Sequence, residues 1–119
     1  MRRMLIVDDE RDVCECLQAF FSTRGFSVTS VFSGEEALDQ LAQEPADVIL
    51  LDILLPGLTG IEVLKRIKER CPSVQVIMVT GLDQVDLRIQ ARHYGAAGYV
   101  TKPFNFSATT WSLVLIDPS

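Results

Sequence analysis

Four short apolar runs in this chain each lead into a side chain that carries a charge or a hydroxyl group. Continuous apolar runs of this length are typical of parallel strands covered on both faces of a sheet. The runs are residues 4–7, 48–51, 74–79 and 98–101, followed in turn by Asp8 and Asp9, by Asp52, by Thr80 and by Lys102. The pattern predicts four strands whose ends carry the reactive groups of the molecule.

Amphipathic helices are predicted between the strands, because apolar positions recur there at intervals of three or four residues. Ser33 and Thr59 each precede a glutamate by three residues, which is the pattern of a capping box. A further strand at 26–32 completes the order βαβαβαβαβ, which favours a mostly parallel sheet with right-handed crossovers. The predicted helices are residues 11–24, a segment from Ser33 to Pro45, a segment from Thr59 to Pro72, and a weaker segment that Asp83 caps and Gly95 ends.

The composition is that of one globular domain, with 119 residues of which 48% are apolar. The net charge of −5 argues against direct nucleic-acid binding, since phosphate contacts require clustered lysine and arginine. Because no apolar segment is long enough to span a membrane and no signal peptide precedes the first strand, we expect a cytoplasmic protein.

The cysteines and the one histidine are predicted to have no chemical role. Cys14, Cys16 and Cys71 lack redox or zinc spacing, and we expect small core or boundary residues in a reducing compartment. His93 stands beside Arg92 late in a predicted helix and is expected to be exposed.

The strand ends predict a single reactive crevice, because the carboxyl ends of parallel strands share one edge of a sheet and ligands bind there. Clustered carboxylates repel one another, so this set indicates a bound cation, and Mg²⁺ prefers oxygen ligands. A lysine and a threonine hydroxyl would complement the charge that phosphoryl transfer spreads over three oxygens.

Four motifs, in this order and each with a strand before its site, make the chain resemble the receiver domain of bacterial two-component response regulators. They are LIVDDE at 5–10, DILLPGLTG at 52–60, VTG at 79–81 and YVTKPF at 99–104. The resemblance runs from Met4 to about Phe106 and implies one receiver domain over residues 1–119. It also implies a flavodoxin-like, doubly wound sheet of five parallel strands in the order 2-1-3-4-5, with helices on both faces.

The resemblance implies a phosphoacceptor site with Mg²⁺ as cofactor. By this resemblance Asp52 attacks the phosphorus of a phosphohistidine on a sensor histidine kinase or a phosphotransfer protein. Asp9 and Asp52 bind Mg²⁺ directly, Asp8 acts through a water molecule, and the backbone carbonyl of Leu54 completes the protein ligands.

The same resemblance implies a conformational switch. Thr80 and Lys102 contact phosphoryl oxygens, and Tyr99 changes orientation as Thr80 moves. The peptide bond between Lys102 and Pro103 is expected to be cis, which proline makes possible. The output domain or effector lies outside this chain, and the domain is a signalling module that catalyses only its own phosphotransfer and dephosphorylation.

Three other classes of protein share parts of this pattern. A flavodoxin or a dinucleotide enzyme requires a phosphate-binding first loop, whereas this chain has three acids there. A phosphatase with a strand-end aspartate requires a second aspartate two residues later, where this chain has Leu54. A degenerate receiver that binds partners without phosphorylation is the remaining alternative.

The tail at 107–119 departs from the family, because its apolar residues spread around most of a helical circumference. The existence of the last helix is therefore left open. We expect the tail either to pack against a second subunit, giving a homodimer, or to be poorly ordered past Trp111. The alternative is an ordinary final helix with an exposed apolar patch.

Overall fold

Strands and helices alternate along the chain in the order that the apolar pattern predicts. The computed structural model describes residues 1–115. The strands are β1 (Arg2–Val7), β2 (Phe26–Val31), β3 (Val48–Leu51), β4 (Gln75–Thr80) and β5 (Gly98–Thr101). The helices are α1 (Arg11–Ser22), α2 (Gly34–Gln43), α3 (Gly60–Arg70), α4 (Val85–His93) and α5 (Ser112–Leu115). Within residues 1–115, no helix is long and apolar enough to cross a membrane.

The strands form one parallel sheet in the order β2-β1-β3-β4-β5, which confirms the predicted topology. Side chains at 4–7 and 48–51 are at most 2% exposed, as expected for central strands covered on both faces. One core cluster contains residues of α2, α3 and α4, and the other contains residues of α1 and α5. Helices therefore cover both faces, and the end of the sheet stays open for a site.

Two of the three predicted helix caps form. The hydroxyls of Ser33 and Thr59 accept hydrogen bonds from the backbone N–H groups of Glu36 at 3.2 Å and Glu62 at 3.3 Å. The predicted Asp83 cap is wrong, because α4 begins after Gln84, whose side chain makes no capping bond within residues 1–115. Asp83 instead accepts a charge-assisted hydrogen bond from Arg88. Such a bond is stronger than one from a neutral backbone N–H group.

The tail packs on its own domain as far as Leu115. Trp111 is fully buried, and its ring meets Phe21 and Phe104 edge to face at 5.3 Å. Its indole N–H donates to the Asn105 carbonyl at 2.7 Å, so burying it leaves its polar atom paired. Residues 112–115 form a short final helix, which agrees with the alternative prediction for the tail. The loss of order expected past Trp111 does not occur in these four residues.

Two long-range hydrogen bonds fix the short helix α5. Arg2 donates to the Val114 carbonyl at 3.1 Å and Gln75 donates to the Leu113 carbonyl at 3.1 Å. Only one side of the segment is deeply buried, since Val114 is 1% exposed whereas Leu113 is 50% exposed. The predictions for residues 116–119 lie outside the described residues, and pairing with a second subunit stays a prediction.

The cysteine predictions hold for two residues of three. Cys14 is buried and Cys71 is partly buried, whereas Cys16 is exposed because it lies on the solvent side of α1. All three thiols are free within the described part of the chain. His93 is exposed, as predicted.

Replacing Trp111 by alanine should destabilise the domain by about 3–5 kcal/mol, the usual cost of removing a buried aromatic side chain. Urea unfolding followed by circular dichroism measures the loss. Leu113→Ala, a half-exposed neighbour in α5, should cost less than half as much. Equal losses for the two variants would show that the tail is not part of the core.

Candidate functional site

The ends of β1, β3, β4 and β5 bring four predicted site residues to one edge of the sheet. Asp8, Asp52 and Thr80 are 2%, 3% and 0% exposed, although each is polar. Asp52 and Lys102 line a cavity of about 760 Å³, and Asp8 lies directly behind this lining in contact with Lys102. Polar side chains buried this deeply require partners, so their bonds define the site.

The ammonium group of Lys102 lies among three carboxylates. Its Nζ atom is 2.7 Å from Oδ2 of Asp8, 2.8 Å from Oε1 of Glu10 and 3.0 Å from Oδ2 of Asp52. Burial lowers the pKa of Lys102, but the bonds to these three carboxylates outweigh burial and raise the pKa overall. Lys102 is therefore charged and neutralises part of the acidic cluster.

Asp8 is the member of the cluster whose charge is least well solvated. Burial raises the pKa of its carboxyl, while the bonds from Lys102 and from the backbone N–H of Glu10 lower it. The net direction is upward, so the folded protein binds a proton at Asp8 more readily than the unfolded chain does. An added cation at this position would offset that cost.

Asp52 is fixed by the start of the loop that follows β3. Its Oδ1 atom accepts from the N–H groups of Ile53 at 2.7 Å and Leu54 at 3.3 Å, which leaves Oδ2 towards Lys102. Helix α3 begins in direct contact with this loop. A Cβ added at Gly60 would lie only 2.0 Å from the Asp52 carbonyl oxygen. Only glycine allows that approach.

Glu35 braces the other end of the same loop, a contact that the sequence did not reveal. Its Oε1 atom accepts from the N–H of Leu58 at 3.1 Å. Gly57 has φ of +75°, and a Cβ there would lie 2.6 Å from Glu35 Oε1. The N-terminus of α2 thus supports the loop that carries the Leu54 carbonyl, and only the fold brings these distant residues together.

Glu10, rather than Asp9, supplies the third carboxylate of the cluster. Ligand oxygens of Asp8, Glu10 and Asp52 lie within 4.8 Å of one another, an arrangement compatible with a metal ion. Asp9 is exposed and lines the cavity, as does Leu54, which is 61% exposed. Glu10 could have been identified from the sequence, because it is the third consecutive acidic residue after β1.

Thr80 and Tyr99 bind the two backbone polar groups of one residue, Leu82. The Thr80 hydroxyl accepts from the N–H of Leu82 at 3.4 Å, and the Tyr99 hydroxyl donates to the Leu82 carbonyl. Burial raises the pKa of Tyr99, so its hydroxyl remains a donor at neutral pH. The Lys102–Pro103 peptide bond is cis, as predicted.

An apolar wall forms part of the lining of the same cavity. Phe106 is 39% exposed, and its ring stacks on Phe20 with centroids 4.5 Å apart. The apolar and thiol side chains of this wall come from α1 and from the segment after β5: Val13, Cys16, Pro103, Phe104 and Phe106. The lining of the cavity therefore combines charged and apolar side chains.

Comparisons with known proteins agree on one family. The sequence profile of the response regulator receiver domain matches residues 4–111. The chain is 36% identical over 102 residues to the transcriptional regulatory protein DltR of Streptococcus agalactiae, covering 86% of this chain and 46% of DltR. It thus spans about half the length of the curated relatives it matches.

Two solved structures resemble the fold over most of its length. A CheY-like response regulator receiver domain protein from Methanospirillum hungatei superposes with a TM-score of 0.85 at 30% identity, covering 88% of this chain and 84% of that one. A BeF3-activated DrrB receiver domain superposes with a TM-score of 0.82 at 32% identity, covering 88% of this chain and 87% of that one.

The two cysteines of α1 should differ sharply in reactivity, because the thiolate is the form that reacts. Burial, followed by the charge of Asp8, raises the pKa of Cys14 to about 11, whereas Cys16 is exposed at the cavity wall. A thiol reagent at neutral pH should modify Cys16 first and leave Cys14 unmodified until the protein unfolds. In a Cys71→Ser background, which removes the other partly accessible thiol, Cys16→Ser should abolish the fast phase. A fast phase that survives both changes would contradict the placement of α1.

Proposed function

The chain belongs to the response regulator receiver domain family, and from this premise we propose that Asp52 accepts a phosphoryl group from a phosphohistidine. The donor is a sensor histidine kinase or a phosphotransfer protein. The observation that carries the proposal is the buried contact of 3.0 Å between Asp52 Oδ2 and Lys102 Nζ. Asp52 lines the cavity, and the positive charge of Lys102 offsets the negative charge of an incoming phosphoryl group.

The chemistry follows from the groups around Asp52. Oδ1 is held by two backbone N–H groups, so Oδ2 is the nucleophile. A P–O bond forms to Oδ2 while the P–N bond to the donor imidazole breaks, and the nitrogen keeps the electron pair. Lys102 neutralises part of the charge on the phosphoryl oxygens and the Thr80 hydroxyl donates to one of them, which suits a reaction that depends on positioning and electrostatics.

Mg²⁺ is the proposed cofactor, and the donor set fits it, because it consists of carboxylate and carbonyl oxygens. Asp9 and Asp52 would hold the ion directly, Asp8 through a water molecule, and Leu54 through its backbone carbonyl. When bound, the ion supplies positive charge and a fixed orientation for phosphoryl oxygens. The protein contributes the braced loop of Asp52 and the buried Asp8, whose pKa is raised by burial.

The switch would run through Thr80 and Tyr99. If Thr80 turns its hydroxyl to the phosphoryl group, the N–H of Leu82 loses its 3.4 Å acceptor. Leu82 is also the hydrogen-bond acceptor of Tyr99, so a change at Thr80 reaches the surface beside β5. This change controls an output domain or effector outside the chain.

The proposals on output and cellular setting rest on the relatives of the chain. DltR is named as a transcriptional regulatory protein, and we infer transcriptional control through a segment beyond this chain, in a cytoplasmic setting. The domain itself catalyses only its own phosphotransfer and dephosphorylation. A homodimer through the C-terminal segment remains a further expectation. The phosphatase-like alternative lacks support at Leu54, and the intact acid cluster with Lys102 disfavours a degenerate receiver.

Incubation with Mg²⁺ and a small phosphodonor should add one phosphoryl group at Asp52, which is labile to base and to hydroxylamine as an acyl phosphate is, and which intact-protein mass spectrometry detects. Asp52→Asn should abolish the modification, because an amide oxygen is a poor nucleophile. Asp39→Asn, at an exposed position of α2, should be modified like the wild type. Modification that persists in Asp52→Asn would overturn the assignment.

A further inference from the structure

The ring of Tyr99 is held from two directions. Its hydroxyl donates to the Leu82 carbonyl in the loop between β4 and α4. The guanidinium carbon of Arg88, on the first turn of α4, lies 4.6 Å from the centre of the ring. The phenol end and the ring face therefore have separate partners, one on the loop and one on the helix.

Arg88 is itself oriented by the loop. Its Nε atom donates to Asp83 Oδ1 at 2.7 Å, and Asp83 directly follows Leu82. Asp83 is thus occupied as the anchor of Arg88, which accounts for its absence from the helix cap. A planar guanidinium can bind a carboxylate at one edge and stack on an aromatic ring with its face, which an ammonium group cannot do.

The ion pair is placed for orientation rather than for stability. The side chains of Arg88 and Asp83 are 42% and 61% exposed, and pairs this exposed contribute little to the free energy of unfolding. A stacked cation still stabilises one ring position relative to another. The pair therefore acts on where the ring lies more than on whether the domain folds.

The loop joins these contacts to the reactive site. The Thr80 hydroxyl accepts from the Leu82 N–H at 3.4 Å, the Leu82 carbonyl accepts from Tyr99, and Asp83 holds Arg88. A movement of Thr80 thus reaches both partners of the ring through two consecutive residues.

We propose that Arg88, anchored by Asp83, is a positioning residue that holds Tyr99 in its contact with the Leu82 carbonyl and so sets the balance between ring positions. The proposal deepens the switch described above and rests on that proposed function for its signalling role. Its structural content concerns the protein before any phosphoryl transfer. The guanidinium is the part of α4 that responds when the ring moves.

NMR of the full chain with labelled tyrosine tests this without any phosphodonor. Arg88→Met keeps the length of the side chain and removes its charge and planar face. The population of Tyr99 rings away from the Leu82 carbonyl, divided by the population in contact with it, should rise about two- to fivefold. This is the change expected from the loss of one cation–π contact at a partly exposed site. Arg88→Lys should give a smaller change than Arg88→Met, because an ammonium can still lie over the ring but cannot stack on it while it binds Asp83. Asp83→Asn should also move the signal of Tyr99 in the same direction by less.

Two controls separate positioning from a general structural effect. Arg92→Met removes the same charge one turn further along α4 and should leave the Tyr99 signal as in the wild type. The ring of Tyr94, which has Lys65 at 4.4 Å, is an internal reference whose signal should not change in any variant. Melting temperatures of Arg88→Met and Arg92→Met should agree.

Unchanged Tyr99 signals in Arg88→Met would overturn the proposal. So would equal changes in Arg88→Met and Arg92→Met, because these would report a property of the whole helix. A failure to phosphorylate Asp52 would contradict the proposed function instead, and the resting-state result for Arg88 would be unaffected by it.

Discussion

The contact on which the site depends is the one between the ammonium of Lys102 and the carboxylates of Asp8, Glu10 and Asp52. The side chains of Asp8 and Asp52 are 3% and 4% exposed, so water solvates their charges poorly. Without a cation these acids would repel one another across less than 5 Å. Lys102 directly follows β5, one of the two edge strands of the sheet, and supplies that cation. Its three bonds hold the ends of β1, β3 and β5 together. A phosphoryl group or a metal ion entering the crevice must therefore rearrange bonds that already stabilise it.

The fold serves this cluster by fixing its members on rigid elements. Parallel pairing of β1, β3, β4 and β5 puts their carboxyl ends at one edge, where the reactive side chains converge. Gly60 allows α3 to begin against the Asp52 peptide, and Glu35 of α2 holds the far end of the same loop. On the other side of the sheet Trp111 ties the tail to Phe104, two residues after Lys102. The precise position of Asp52 thus follows from packing on both faces.

Sequence reasoning succeeded where one local rule governs a residue and failed where distant partners compete for it. Apolar runs located the strands, and Asp8, Asp52, Thr80 and Lys102 could be placed at one edge because each lies at or directly after the end of its strand. The strand order required the family resemblance, since periodicity carries no information on which strands are neighbours. Asp83 was mistaken for a helix cap because its partner Arg88 is identified only by geometry. Glu35 is ordinary in sequence, and its role appears only when α2 lies beside the loop at Gly57. The burial of the tail up to Leu115 could not be predicted, because its apolar residues look equivalent in the sequence, whereas Trp111 and Val114 account for the deep burial.

Thermal melting of Lys102→Met with chelator and with Mg²⁺ tests the central contact most directly. Removing the ammonium leaves buried carboxylates without a cation, so the metal-free variant should lose on the order of 3 kcal/mol of stability relative to the wild type. Mg²⁺ should then raise the melting temperature of the variant more than that of the wild type, because it replaces the missing charge. Arg70→Met, which removes a positive charge at an exposed position of α3, is the matched control. If Lys102→Met and Arg70→Met melt at the same temperature in chelator, the cluster does not depend on Lys102 and the account is wrong.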